Sequence, residues 1–159
     1  FFFFNDTATT EIYTLSLHDA LPICLAQGFE LAGILAIELF VTKDERVIVN
    51  ELAPRPHNSG HYTIEACSFD QFDAHIRGIA GWPLEQPELL KPAVMVNVLG
   101  QHVAPTRALI AEHPEWNMHD YCKAEVRHDR KMGHITVLTD DTRQTVADLE
   151  RTGCWDDLK

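Results

Sequence analysis

Two apolar runs flank a short polar turn, and each run carries a glutamate. Residues 33–41 (GILAIELFV) read as a buried strand with one charge, Glu38. Residues 46–53 (RVIVNELA) read as a second strand that ends in Asn50 and Glu51. Thr42-Lys43-Asp44-Glu45 between them makes the pair a hairpin. Strand side chains alternate between faces, so the hairpin can bring Glu38 and Glu51 to one side. Two carboxylates held close repel each other unless a cation lies between them or one keeps its proton. Hard oxygen ligands suit magnesium; a solvated or salt-bridged pair is the alternative.

The residues that follow weigh against the plain pair. Positions 50–61 (NELAPRPHNSGH) gather Asn50, Glu51, Arg55, His57, Asn58, Ser59 and His61, with Pro54, Pro56 and Gly60 stiffening and bending the backbone between them. A surface loop does not need so many different polar groups; a site that holds a metal and orients anions does.

A second cluster lies later. Lys123, Arg127, Arg130 and Lys131 crowd a turn between two expected strands, 117–124 and 134–138, with Gly133 and His134 after them. Cations concentrated in a hairpin can hold a phosphate, arginine as a planar fork and lysine as a point charge. A solvated hairpin that offsets acidic neighbours is equally compatible with the residues alone.

These segments resemble the 5-(carboxyamino)imidazole ribonucleotide synthase (PurK-type) family of the ATP-grasp superfamily. The resemblance rests on Glu38-Leu-Phe-Val, the 50–61 run, Gln71-Phe-Asp-Ala-His-Ile-Arg and Arg130-Lys-Met-Gly-His. A related ATP-grasp formyltransferase family shares Glu-x-x-Pro-Arg-Pro-His but usually continues Asp-Thr-Gly. The resemblance implies an α+β fold. It would be the C-terminal part of an ATP-grasp fold, an antiparallel sheet with helices, followed by a small β-rich C-terminal subdomain. It implies an ATP-dependent ligase of purine biosynthesis. Bicarbonate is phosphorylated to carboxyphosphate, and the amine of 5-aminoimidazole ribonucleotide then takes the carboxyl group. ATP and Mg2+ would be the cofactors, and the intact enzyme would be a homodimer.

Residue by residue, the resemblance implies that Glu38 and Glu51 ligate magnesium and that Asn50 helps fix the nucleotide phosphates. Arg55 would hold the bicarbonate-derived anion and stabilise charge during transfer. His57 and Asn58 would contact the imidazole substrate or carboxyphosphate, with His57 as proton acceptor. Ser59 and Gly60 would turn backbone amides toward an anion. Lys123 and Arg130 would grip the ribose phosphate. His61 either contacts ligand or braces the loop, and His75 and Arg77 are structural. The other histidines, His102, His113 and His119 among them, have no evident partner. Two further classes remain open: another ATP-grasp ligase, such as the formate-dependent glycinamide ribonucleotide transformylase, and a non-catalytic module that binds a phosphorylated metabolite.

Phe1 to Ile23 fall outside the resemblance. Four phenylalanines and the residues after them look like a translated sequencing adapter, and 1–23 is expected to be an artefactual or disordered leader. It has no basic stretch, apolar core or small-residue cleavage site of a signal peptide. The expected division is then 24–84, the later part of an ATP-grasp domain, and 85–159, a PurK-type subdomain expected to be truncated. No glycine-rich phosphate loop is present, so this polypeptide alone is expected to be inactive and to expose apolar surface where other domains would dock.

Composition narrows the partners. The chain has 13 basic and 24 acidic residues, net −11. That excludes broad nucleic-acid binding, which needs a basic face, but not a local anion site. No apolar run is long enough to span a bilayer. Cys24, Cys67, Cys122 and Cys154 stand singly, as expected for reduced thiols in a cytoplasmic protein. Elsewhere a helix tail is expected over 27–32. Ser68 and Gln71 have capping-box spacing before a helix that closes at Gly81. A proline-bearing linker spans 85–92, a strand 93–100, a short helix 106–112 and a helix 142–151 with Gly153 beyond.

Overall fold

A computed structural model describes residues 2–4 and 20–156, with side-chain surroundings from Cys24 to Asp156. The chain divides into two compact units: Phe1–His61 with Phe69–Pro87, and Tyr62–Ser68 with Glu88–Lys159. The class is α+β, as the resemblance implies.

The first unit contains a three-stranded sheet in the order β1 (Phe2–Phe4), β2 (Ala36–Val41), β3 (Val47–Ala53). The expected hairpin is β2–β3. Thr42 N–H donates to Arg46 O and Glu45 N–H to Thr42 O, and Glu45 takes φ 60° to close the turn. In β2, Ile37 and Leu39 are buried and pack with the partly buried Leu25 and Leu35. Glu38 between them therefore leaves by the other face. Two described elements fall within the leader. Phe2–Phe4 pairs in parallel with β2 and occupies the edge that β3 leaves open. Helix α1 (Ala20–Gly28) starts before Cys24. The rest of the leader, 5–19, lies outside the described residues. The helix tail also ends at Gly28, not Ala32, because Glu30 turns to φ 49°.

Helix α3 (Gln71–Ala80) closes at Gly81 in the left-handed conformation. Its N-cap is Asp70, whose Oδ1 accepts the Phe72 and Asp73 amides at 2.7 and 2.9 Å. The expected Ser68 capping box is thus replaced. Ser68 Oγ accepts the Glu88 amide at 3.0 Å instead.

The second unit is built on the sheet β4 (Ala93–Leu99), β6 (Lys131–Leu138), β5 (Asn117–Asp120), antiparallel throughout with β6 in the centre. Its core holds Val98, Trp116, Ile135, Val137, Leu149 and Trp155 among others. Trp155 Nε1 donates to Asn97 O at 2.9 Å and ties the chain beyond helix α5 (Thr142–Arg151) to β4. Helix α2 (Thr63–Ala66) belongs here, held by Leu90 N–H to Ala66 O at 2.7 Å.

Several boundaries differ from those read in the sequence; β2 begins at Ala36, not 33, β3 at Val47, not 46, and β4 ends at Leu99, not 100. Helix α4 is Val103–Leu109, not 106–112, because Pro105 fits its first turn. Strand β5 stops at Asp120, not Ala124: Asp120 Oδ1 accepts the Cys122 amide at 2.8 Å and Cys122 sits at φ 51°, which breaks the ladder. Strand β6 begins earlier than expected, at Lys131. Among the described residues, no helix is long and apolar enough to cross a membrane.

Candidate active site

The β2–β3 register decides where the two acids go. Glu38 pairs directly with Glu51, so both side chains leave the same face of the sheet. The next pair is Leu39 with Val49, which leaves Asn50 as an extra residue on β3. Such a bulge re-aims the side chain it carries. Asn50 and Glu51 are adjacent and would otherwise face opposite ways, yet Asn50 Nδ2 donates to Glu38 Oε2 at 3.0 Å.

His57 completes the cluster. Its Nε2 lies 3.6 Å from Glu38 Oε1, and both side chains are largely shielded, at 11% and 18% exposure. One ligand atom each from Glu38, Glu51 and His57 falls within 4.8 Å of the others. The Ser59 amide donates to His57 Nδ1 at 3.4 Å, and Ser59 Oγ lies 2.7 Å from the same nitrogen. Ser59 thus holds the Nδ1 side of the ring, and Nε2 faces Glu38. His57 is thereby held beside Glu38. The two carboxylates remain as hard oxygen donors, and that pair fits magnesium.

Arg55 is exposed, with Nη2 3.5 Å from Glu51 Oε1 and Nη1 donating to Pro56 O at 3.0 Å. Its guanidinium thus stands beside the acids at the surface. Asn58 and Ser59 fall in the single turn Asn58–Gly60. The amides expected to face an anion are turned inward: Ser59 N–H goes to His57 Nδ1, and Gly60 N–H to His57 O at 2.9 Å. His61 braces the loop, with Nδ1 2.8 Å from Gln71 Nε2 and its ring stacked on Phe72.

Lys123 and Arg130 belong to the second unit. Lys123 Nζ donates to Lys131 O at 2.5 Å and lies over the Tyr121 ring. Arg130 Nη1 donates to Glu125 O at 3.1 Å, and Arg127 pairs with Glu125. A cavity of about 220 Å³ borders Lys123, Arg107 and Asp120. The Asp120 carboxyl is held below its ordinary value, first by the Cys122 amide and then by Arg107.

Two features escaped sequence reading. His119 Nε2 meets Glu65 Oε1 at 2.5 Å, and its ring stacks on His134, whose Nδ1 lies 2.9 Å from Tyr121 OH. Gln71 is buried at 4% exposure and bonds the 57–61 loop. Only its place in a matched segment signalled it.

Comparison with known proteins identifies the family. A model of the ATP-grasp domain matches residues 14–72, and one of the phosphoribosylaminoimidazole carboxylase C-terminal domain matches 93–148. The N5-carboxyaminoimidazole ribonucleotide synthase of Staphylococcus aureus strain COL is 48% identical over 126 residues. The chain belongs to the PurK-type ATP-grasp family. That match spans 79% of this chain but 34% of the relative, so the chain covers about a third of the length of such PurK-type proteins. The S. aureus synthetase solved with ADP superposes with a TM-score of 0.85 at 41% identity, over 94% of this chain and 40% of that one. The Aspergillus clavatus PurK-type synthase, in complex with ADP and 5-aminoimidazole ribonucleotide, gives 0.66 at 33% identity over 77% and 34%.

Proposed function

We propose that this chain supplies the metal- and anion-binding end of an ATP-dependent ligase that carboxylates 5-aminoimidazole ribonucleotide in de novo purine biosynthesis. The observation that carries this reading is the direct pairing of Glu38 with Glu51 beside the Asn50 bulge. Family membership supplies the reaction. Bicarbonate oxygen attacks the γ-phosphorus of ATP, giving carboxyphosphate and ADP. The exocyclic amine then forms its bond to the carboxyl carbon as phosphate leaves, and the amine's proton departs with the phosphate. The products are N5-carboxyaminoimidazole ribonucleotide, ADP and phosphate.

Glu38 and Glu51 would hold the magnesium, which supplies charge neutralisation for the nucleotide phosphates. Asn50 and His57 keep the Glu38 carboxylate in place. Arg55 would meet the bicarbonate-derived anion, and His57, Asn58 and Ser59 would contact the imidazole substrate or carboxyphosphate. Lys123 and Arg130 serve its ribose phosphate. Every reactant is anionic, so positioning and charge compensation supply most of the rate. The four cysteines are free thiols, which supports a reducing, cytoplasmic setting. Homodimeric assembly is the further expectation from the family.

The test is manganese titration of the chain followed by paramagnetic resonance. One Mn2+ is expected to bind, and Glu51→Gln to weaken it by at least tenfold. Equal binding by wild type and Glu51→Gln would remove the metal site. The 159-residue chain is expected to release no phosphate from ATP with bicarbonate and 5-aminoimidazole ribonucleotide; measurable release would refute that part.

A further inference from the structure

The loop that carries the site has little backbone hydrogen bonding of its own. Pro54 and Pro56 lack amide protons, and residues 54–57 belong to no helix or strand. One buried side chain takes the place of a neighbouring strand. Gln71 Oε1 accepts the His57 amide at 2.9 Å, and Gln71 Nε2 donates to His57 O at 2.8 Å. The same Nε2 lies 2.8 Å from His61 Nδ1. Both backbone groups of His57 are thus held by a single carboxamide. Gly60 makes room for it: a Cβ there would come within 2.5 Å of Gln71 Oε1.

The helix bearing Gln71 also grips the other half of the site. His75 Nδ1 accepts the Ile34 amide at 3.1 Å, just before β2. Gly78 lies against Gly33, where a Cβ would approach the Gly33 Cα to 2.9 Å. Residues 71, 75 and 78 follow the i, i+4, i+7 spacing of one helix face. That face therefore sets the segment entering β2, which carries Glu38, against the loop that carries His57.

We propose that Gln71 is a positioning residue of this site, fixing through the His57 backbone the approach of His57 to Glu38. The proposal rests on the metal-site reading above and deepens it. Gln71 touches no reactant in this account; it holds the residue that orients a metal ligand. Partners at this remove from a metal tune its affinity by orienting the ligands.

The experiment uses the full chain, Mn2+ alone as probe, and nuclear magnetic resonance of the His57 ring and the Ser59 amide. Gln71→Leu removes all three bonds, and Gln71→Glu keeps the acceptor while replacing the donor that faces His57 O. Asp70→Ala is the control: it removes the cap of the same helix without touching the loop. Expected results are a metal-free shift of the His57 and Ser59 signals and about a tenfold loss of Mn2+ affinity in both Gln71 variants. Asp70→Ala should lower the melting temperature yet keep both readouts at wild-type values. Should Gln71→Leu fail to fold, Gly60→Ala should give the same shifts by displacing the carboxamide. Unmoved His57 and Ser59 signals in the Gln71 variants would overturn the proposal, as would equal effects from Asp70→Ala. If wild type binds no Mn2+, the metal reading fails separately, and the metal-free shifts still decide whether Gln71 positions His57.

Discussion

Strand β6 runs through the middle of its sheet with residues 132–137 buried, whereas β3, also rich in valine and isoleucine, leaves residues 47–52 exposed at the edge of its sheet. The units containing them differ in the same way. The buried apolar cluster of the second unit joins strands, helices and two tryptophans. Among the described residues, the first unit's cluster contains Ile37 and Leu39, with Leu25 and Leu35 beside them. Close packing holds the second unit's geometry. Hydrogen bonds, a bulge and close helix-to-loop contacts hold the candidate site in the first. A site built this way responds sharply to loss of single polar groups, because a buried donor or acceptor left alone is costly.

The largest contrast should come from a cavity in each unit. Ile135 is fully buried in the larger cluster. Ile135→Ala is expected to cost about 2–5 kcal/mol, the range for large-to-small changes in closed cores. Ile37→Ala should cost distinctly less, because fewer of the described apolar residues surround the space it leaves. Urea unfolding followed by circular dichroism measures both. Equal losses would show that the thin cluster packs as tightly as the thick one.

A smaller effect, confined to one titration, is expected in the second unit. Burial, with a contribution from Cys67, pushes the Tyr62 phenol up to about 12 from its ordinary value of 10.0. The folded state favours the neutral phenol, so this stabilisation is complete below pH 10 and is lost as pH rises through about 12. Thermal melts across that window should show a decline that Tyr62→Phe reduces. Phenolate absorbance in the near ultraviolet should report the delayed titration. An unshifted titration would mean that the segment Tyr62–Ser68 is looser than its bonds to residues 88–90 indicate.

What the sequence disclosed follows the same division. Pairing of Glu38 with Glu51 was legible because strand alternation and a short turn leave few registers. The bulge that brings Asn50 to Glu38 was not, since an extra residue in one strand depends on the partner strand and on the loop beyond it. Gln71 fitted a capping box by spacing, but Asp70, one residue nearer, takes the cap and frees the carboxamide to turn inward. The Glu65–His119 contact joins residues 54 apart, a separation at which local pattern carries no information. Local turns, caps and strand faces were readable; side chains whose partners arrive from distant segments were not.

The smallest predicted effect concerns α3, where the usual arrangement of an amphipathic helix is reversed. Its apolar residues Phe72, Ile76 and Ile79 repeat at helical spacing, and such a stripe ordinarily faces a core. Here the buried face carries Gln71, His75 and Gly78, while Ile76 and Ile79 are 59% and 57% exposed. Exposed side chains contribute little to folding, so Ile76→Ser and Ile79→Ser should each change stability by no more than about 0.5 kcal/mol. Both should reduce binding of a hydrophobic fluorescent dye, because they interrupt a run that continues to Trp82 and Leu84. Mn2+ affinity should not move, since neither residue bonds the loop. A loss of several kcal/mol from either change would mean that this stripe is packed against protein in solution, and the contrast between a polar scaffold and an apolar core would then fail for the helix on which the site depends.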